Sequence, residues 1–434
     1  MWKKLDTPVP IDPSQVVIGL YVWLDLTWDE HPFFSSRFLV KTQKDLNILH
    51  SLDIAGKLYY HPQQSTAEPG AVVDKAAVAA PQSPIPDAEP DPEVAAKEAL
   101  ARELRALEKE KKEKRRSQRE VAARADQAWS KAARETKAAL NDMPRSPKQA
   151  GKQLVNLSME TASIVSKGQE VLLHLLGDKK EQGPQFHALN TMTLSMLVGK
   201  KAGLSERALA DLAVAALAHD AGESQIPQQI LKSGQRKKHE EDFFRQHVEY
   251  SVKFATESGA FSREALEIIA SHHEMVDGSG WPLGRKDASV SARILALVDR
   301  YDTLCSPDVI GRDPMMPAEA LATMFRNESA RFDTELLSML IKLLGVYPPG
   351  TVVQLSDGSL ALVIAPGPTS LKPAVLLYSP EMLKEDAPTI ELSDQPDLKI
   401  SEAIRPSTLP VDVFKWLNPQ QRLSYFFSVE EGRK

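Results

Sequence analysis

Six prolines at positions 69, 81, 84, 86, 90 and 92, set among Ala, Gln, Ser and Asp, divide this chain before any other feature is read. Such a stretch cannot bury enough apolar surface to fold, so residues 67–92 are expected to be a disordered linker between independent units. The total of 434 residues agrees, because a chain of that length exceeds one ordinary core and favours two to four domains.

Ahead of the linker, residues 1–66 carry short β-rich runs, Val16-Val17-Ile18-Gly19-Leu20-Tyr21-Val22 and Phe38-Leu39-Val40, then a helix-like stretch from Asp45 to Leu52. This predicts a small α+β domain. Beyond the linker, residues 93–147 are rich in Ala, Glu, Lys and Arg and favour a linker helix. Leu100, Leu104 and Leu107 share a face, but Lys111 and Lys114 interrupt it, so no coiled-coil seam is sustained and the helix reads as a spacer. The basic run at 111–116 reads as a solvated face.

Residues 148–345 change character again. Apolar residues fall at helical spacing, including Val155, Leu157, Ile164, Val171, Leu172, Leu175 and Leu176, and predict an all-α core domain. From 346 to 434 the chain turns β-rich, with Thr351 to Leu355, a Ser356-Asp357-Gly358-Ser359 turn, Leu360 to Ile364 and Ala374 to Tyr378.

Composition excludes several function classes. A 42% hydrophobic and 26% charged chain with a net charge of −6 has no bulk attraction for a nucleic-acid polymer or a membrane surface. The start Met1 to Pro8 lacks the apolar segment of a signal peptide, and no uninterrupted apolar run reaches bilayer length, so membrane insertion is not expected. The single cysteine, Cys305, excludes a disulfide framework and a multi-cysteine zinc site, suits a cytoplasmic location, and reads as a small buried apolar residue.

The chemistry lies in the histidines. Half of the ten fall at His187, His219, His247, His272 and His273, all inside the helical domain. His219-Asp220 ends the apolar helix Leu209 to Ala218 and runs into Ala221-Gly222, so the pair is presented where the backbone turns. His272-His273-Glu274 ends a second helix, Arg263 to Ser271, ahead of the turn Asp277 to Pro282. Asp299 lies on a third helix, Ser291 to Leu304, with Asp302 one turn later on nearly the same face. Imidazoles joined by a bridging carboxylate suit Fe, Mn, Zn or Ni, whereas an all-oxygen set would suit Mg or Ca. By contrast His174 on an apolar helical run, His239 in a loop, and His31, His50 and His61 read as structural or solvated. Gly278 and Gly280 are explained by a tight turn, with close approach to a ligand as the alternative.

The segments HDAGE at 219–223, HVE at 247–249, HHEMVDGSGWP at 272–282 and ARILALVDRYD at 292–302 follow one another in the order of the HD-GYP family. The resemblance covers about residues 150–345, an HD-type helical core. The N-terminal region also resembles the domain of unknown function often fused ahead of HD-GYP domains, and the 347–364 stretch resembles their β-rich tail.

The resemblance implies that His187, His219, Asp220 and Asp299 hold one metal, and that Asp220 bridges to a second held by His247, His272 and His273. Two divalent transition-metal ions, Fe or Mn, are expected rather than three, because Gly183 stands where some members carry a further glutamate ligand. It implies phosphodiester hydrolysis of cyclic di-GMP or a related cyclic dinucleotide, with Asp220 and Glu223 at the catalytic position and Gly280, Trp281, Asp302, Arg285 and Arg312 toward the substrate. Glu223 replaces the family's lysine, turning attraction for a phosphodiester into repulsion. Trp281 replaces the family's tyrosine and keeps a stacking surface. These departures leave two alternatives, a catalytically silent signalling module and an HD phosphohydrolase for another nucleotide. Homodimerisation and a signalling-protein partner are left open.

Overall fold

The computed structural model describes residues 8–26, 36–52, 54–70, 127–167, 171–175, 183–306, 314–380, 389–418 and 425–429, with a few single positions between them. Arg312, most of the proline-rich linker, and the basic run at 111–116 apart from Glu113 lie outside these residues.

The N-terminal unit is an antiparallel sheet with strands in the spatial order Val9–Pro10, Leu58–Tyr60, Tyr21–Leu24 and Arg37–Leu39. Its helix, Gln43–Ser51, starts on a capping box in which Thr42 accepts from Asp45 N and the Asp45 carboxylate accepts from Thr42 N; such a cap is worth about 1 kcal/mol. Leu20, Val22, Leu24, Ile48, Leu49 and Leu58 form the core between helix and sheet. The β run expected from Val16 becomes a strand only at Tyr21, because Gly19 sits at φ +101° and turns the chain before it.

In the second unit the helix Pro184–Lys201 is buried along almost its whole length, on every face. A helix apolar all round belongs at the centre of a bundle. Around it pack Glu206–Ala218, Val290–Cys305, Thr334–Leu344 and Pro147–Lys167, the last also resting on His247–Ser258. Serine caps start the helices that carry the site: Ser205 accepts from Ala208 N, Ser262 from Ala265 N and Ser289 from Ala292 N.

Three expectations for this unit are corrected. The end of the supposed spacer, helical over 127–142, is core: Trp129, Ala132, Ala133, Thr136, Leu140 and Met143 are buried, and the Trp129 and Phe186 rings lie 5.1 Å apart. Those positions repeat at three and four residues, a stripe that the surrounding charge obscures. Second, Val171–Leu175 is a strand, paired antiparallel with Tyr425–Val429. Five consecutive residues are too few to separate the two periods, and the partner lies at the far end of the chain. His174 therefore sits on a strand, opposite Phe426. Third, His239 lies in the helix Lys238–Arg245, whose N-terminus is held by Glu240 accepting from Lys237 N.

The expected β-rich segment forms antiparallel pairs between Val352–Leu355 and Leu360–Ala365, between the latter and Ala374–Leu377, and between Val352–Leu355 and Ile400–Ile404. The helix Val411–Leu417 packs Val413 and Leu417 against Val352, Leu362 and Ile404. No helix among the described residues is long and apolar enough to cross a membrane.

Candidate metal centre

Three helix ends and two further helices converge on one point. Glu206–Ala218 ends at His219, Arg263–Ala270 ends just before His272-His273, His247 opens its helix, and the middle of Val290–Cys305 supplies Asp299 opposite His187 from the central helix. Gly222 makes the first approach feasible. A Cβ there would run into His247 O and Ser251 N, and its own N–H donates to Ser251 Oγ at 2.8 Å. The glycine of HDAGE is thus a packing requirement between the 221–225 turn and the 247–258 helix.

Among the described residues, two groups of side chains could each hold a metal ion: His187, His219, Asp220 and Asp299, and Asp220, His247, His272 and His273. Asp220 belongs to both, and its two oxygens divide the work. Oδ2 lies 3.2 Å from His219 Nε2 and 3.5 Å from His187 Nε2, while Oδ1 lies 3.4 Å from His247 Nε2 and 3.7 Å from His272 Nε2. His187 Nε2 is 3.2 Å from Asp299 Oδ1, and the Nε2 atoms of His273 and His247 are 3.2 Å apart. Neighbouring ligands bound at about 2.1 Å to one ion are spaced by roughly 3.0–3.4 Å, so the set has the spacing of a coordination shell.

Hydrogen bonds behind the rings establish which nitrogen faces inward. His219, His247 and His272 donate through Nδ1 to the carbonyls of Ala216, Phe244 and Ile269 at 2.9, 2.8 and 2.6 Å, and a carbonyl can only accept. His187 donates through Nδ1 to Asp302 Oδ2 at 2.7 Å, and Asn190 donates to the other oxygen of Asp302 at 2.7 Å. In the neutral rings every one of these Nε2 atoms is a lone pair aimed at the centre. His187 Nε2 and His219 Nε2 stand 3.2 Å apart, where two bare lone pairs repel unless a shared proton or a cation lies between them. His272 Nε2 is buried without a hydrogen-bond partner, an arrangement that costs about 1–3 kcal/mol if nothing binds there. A divalent cation removes both penalties, so the residues fit the metal their types suggest.

The electrostatics point the same way. Burial opposes charge on Asp220 and Asp299, yet His219 and His187 beside them hold both well below the usual carboxylate range. Burial likewise opposes protonation of His187 and His219, but the carboxylates outweigh it, holding His187 well above its ordinary value and lifting His219 to about 10. On the other side, burial lowers His247 to about 4 and His273 well below the imidazole range, helped by His272. One half of the site therefore draws positive charge, and the other presents neutral nitrogen donors.

Several expectations need correction. Asp302, expected toward the substrate, is 1% exposed and spends both oxygens on His187 and Asn190, so it orients the His187 ring instead. Gly280 has no room for a Cβ against Met275 N and His273 O, which gives it a packing role. Arg285 turns its Nε to Asp287 Oδ1 at 3.1 Å, and neither side chain is buried. The repulsion expected from Glu223 is muted, because burial and the Asp220 carboxylate push it up to about 8 before any bound cation is counted. Trp281 packs against the histidine cluster, its ring 4.2 Å from that of His273 at 31° and 5.5 Å from that of His247.

Two residues were not singled out in the sequence. Asn190 lies one turn from His187, as Asp302 lies one turn from Asp299, and that shared spacing was the available signal. Glu274, 2% exposed, accepts from Leu283 N and Arg285 N at 2.7 Å each and staples the Trp281 loop beneath the site.

Residues 170–336 match the HD domain, and residues 9–154 match a domain of unknown function, DUF3391. The chain belongs to the HD-GYP family. Relatives of this HD-GYP chain include a cyclic di-GMP phosphodiesterase of Pseudomonas aeruginosa, 27% identical over 224 residues, which are 50% of this chain and 54% of the relative. A probable cyclic di-GMP phosphodiesterase of Vibrio cholerae is 36% identical, across 29% of this chain and 31% of its own length. A 3′3′-cGAMP-specific phosphodiesterase of the same species is 32% identical, across 32% and 27%. The similarity thus spans about half or less of each relative.

Proposed function

We propose that this HD-GYP chain is a metal-dependent phosphoric diester hydrolase acting on a cyclic dinucleotide, cyclic di-GMP in the first place, in cytoplasmic signalling. The observation that carries the reading is Asp220 presenting one oxygen to each of two imidazole groups. His187, His219, Asp220 and Asp299 would hold one cation and Asp220, His247, His272 and His273 the other, Fe or Mn by donor type. When bound, such cations would lower the pKa of a water and neutralise charge gathering on phosphoryl oxygens.

The chain's own residues supply the rest. Asp302 and the carbonyls of Ala216, Phe244 and Ile269 lock the rings, so the donors need no rearrangement during the reaction. Trp281, packed against His273 and lying under the Arg245 guanidinium, would keep an aromatic surface at the site that a base can use once that guanidinium turns to the phosphate. Glu223, one turn past Asp220 and pushed up to about 8 by burial and the Asp220 carboxylate, would hold a proton at the site. The names of the relatives support the substrate class, and those acting on 3′3′-cGAMP make a mixed dinucleotide the next candidate.

The second reading, a silent signalling module, is favoured by Glu223 at the family's lysine position and disfavoured by the complete ligand set. Manganese- or iron-loaded protein should convert cyclic di-GMP to linear pGpG or GMP, read by chromatography, while the Asp220→Ala variant should not. Equal lack of turnover by both proteins on cyclic di-GMP, 3′3′-cGAMP and a simple aryl phosphodiester would overturn the enzymatic reading.

A further inference from the structure

An anionic diester needs fixed positive charge beside the metals, and this chain has lost the family's lysine at 223. The helix Lys238–Arg245 ends two residues before the ligand His247, and its last side chain places a guanidinium over the Trp281 ring, 5.4 Å from the centroid. Trp281 in turn contacts His273 and His247. A run of contacts therefore leads from the metal ligands through the indole to a cation.

The charge at the end of that run is available. Arg245 is about half exposed, and its Nε donates to Glu241 Oε1 at 3.2 Å, one turn back on the same helix. Among the described residues its terminal amino groups have no recorded partner. Arg236, on the same part of the chain, is the useful contrast. Its guanidinium lies 3.7 Å over Phe244, donates to the carbonyls of Ile230 and Leu231, and sits 3.7 Å from Glu241. That arginine is consumed in holding the 228–245 segment together. Arg245 is anchored at one nitrogen and open at the others, the state expected of a group kept for a ligand.

We propose that Arg245, steadied by Glu241 and Trp281, contacts the phosphate of the cyclic dinucleotide and replaces the missing lysine from a different element. The inference rests on the phosphodiesterase reading and adds a specificity-determining residue to it. The alternative is an ordinary solvated helix end, stabilised by Glu241 and by the helix dipole.

The test uses the full-length, manganese-loaded protein and its Arg245→Ala, Arg245→Lys and Trp281→Ala variants. Binding of cyclic di-GMP is measured by titration calorimetry and turnover by chromatography, with metal content and melting temperature checked for each. Arg245→Ala should raise Kd and KM about tenfold or more at unchanged metal content, and Arg245→Lys should fall between it and the wild type, because charge without the planar fork recovers only part of the contact. Trp281→Ala should weaken binding as well and reduce the further effect of removing Arg245. Kd and KM of Arg245→Ala within twofold of wild type would overturn the proposal and leave the phosphodiesterase reading standing. Wild-type protein that neither binds nor cleaves a cyclic dinucleotide overturns that reading, and this inference with it.

Discussion

At the residue scale, the chemistry depends on side chains behind the ligands as much as on the ligands. Asp302 holds His187 by a 2.7 Å hydrogen bond and is itself held by Asn190, so Asp302→Asn should lower metal affinity by about 10–100-fold while leaving the fold intact. Metal content by mass spectrometry beside an unchanged circular dichroism spectrum checks this, and full metal occupancy in dilute metal would refute it. Glu223 offers the opposite experiment. Glu223→Lys restores positive charge beside the site and should lower KM for a cyclic dinucleotide roughly tenfold, since one charge-assisted contact is worth about that much. An unchanged or higher KM would mean that charge at 223 does not act on substrate. The five histidines and two aspartates that gather here were legible from the order of their motifs and the family resemblance that order carries. The direction of each imidazole was not, because it depends on carbonyls three residues back that only the helix end brings into reach.

At the scale of elements, the site is made by helix ends meeting. The 221–225 turn lies so close to His247–Ser258 that Gly222→Ala should cost about 3 kcal/mol or displace His219-Asp220, lowering both melting temperature and metal content. A fully stable, fully metallated variant would show that the contact is slack. Arg300 on Val290–Cys305 grips Glu328 through two nitrogens, with Nε 2.8 Å from Oε2, and thereby ties the Asp299 helix to the following turn. Arg300 holds the Glu328 carboxyl below its ordinary value. Its contribution is therefore present above the ordinary glutamate range and is lost as pH falls through the lowered folded value. Glu328→Gln should destabilise by about 1 kcal/mol near pH 7, and the difference from wild type should vanish toward pH 3 in thermal melts. A difference independent of pH would remove the ion pair from the account. The helices were legible from their apolar periodicity, Leu209 to Ala218, Arg263 to Ser271 and Ser291 to Leu304 being observed as Glu206–Ala218, Arg263–Ala270 and Val290–Cys305, whereas the serines that cap them were not singled out. The strand at 171–175 was not, because five apolar residues satisfy either period and only a partner strand selects one.

At the scale of the whole molecule, metal binding and folding are linked. The unpartnered His272 Nε2 and the crowded Nε2 atoms of His187 and His219 are penalties that an ion removes from the folded state only, so chelation should lower the melting temperature and readdition of manganese should restore it. A melting temperature indifferent to chelator would place the ions elsewhere. Removal of residues 419–434 should also destabilise the helical unit, since it strips Val171–Leu175 of its partner strand, and limited proteolysis near 171–175 would report it. The sequence by itself determined the helical and β-rich periodicities and the inventory of nitrogen and carboxylate donors, because these are properties of local composition and spacing. Only the tertiary structure decided that Asp220 faces two imidazole groups at once, that Asp302 serves His187 rather than substrate, that the 127–142 helix is core, and that Arg245 stands over Trp281. Each of those is a meeting of residues distant along the chain, and local periodicity carries no record of which faces will be brought together.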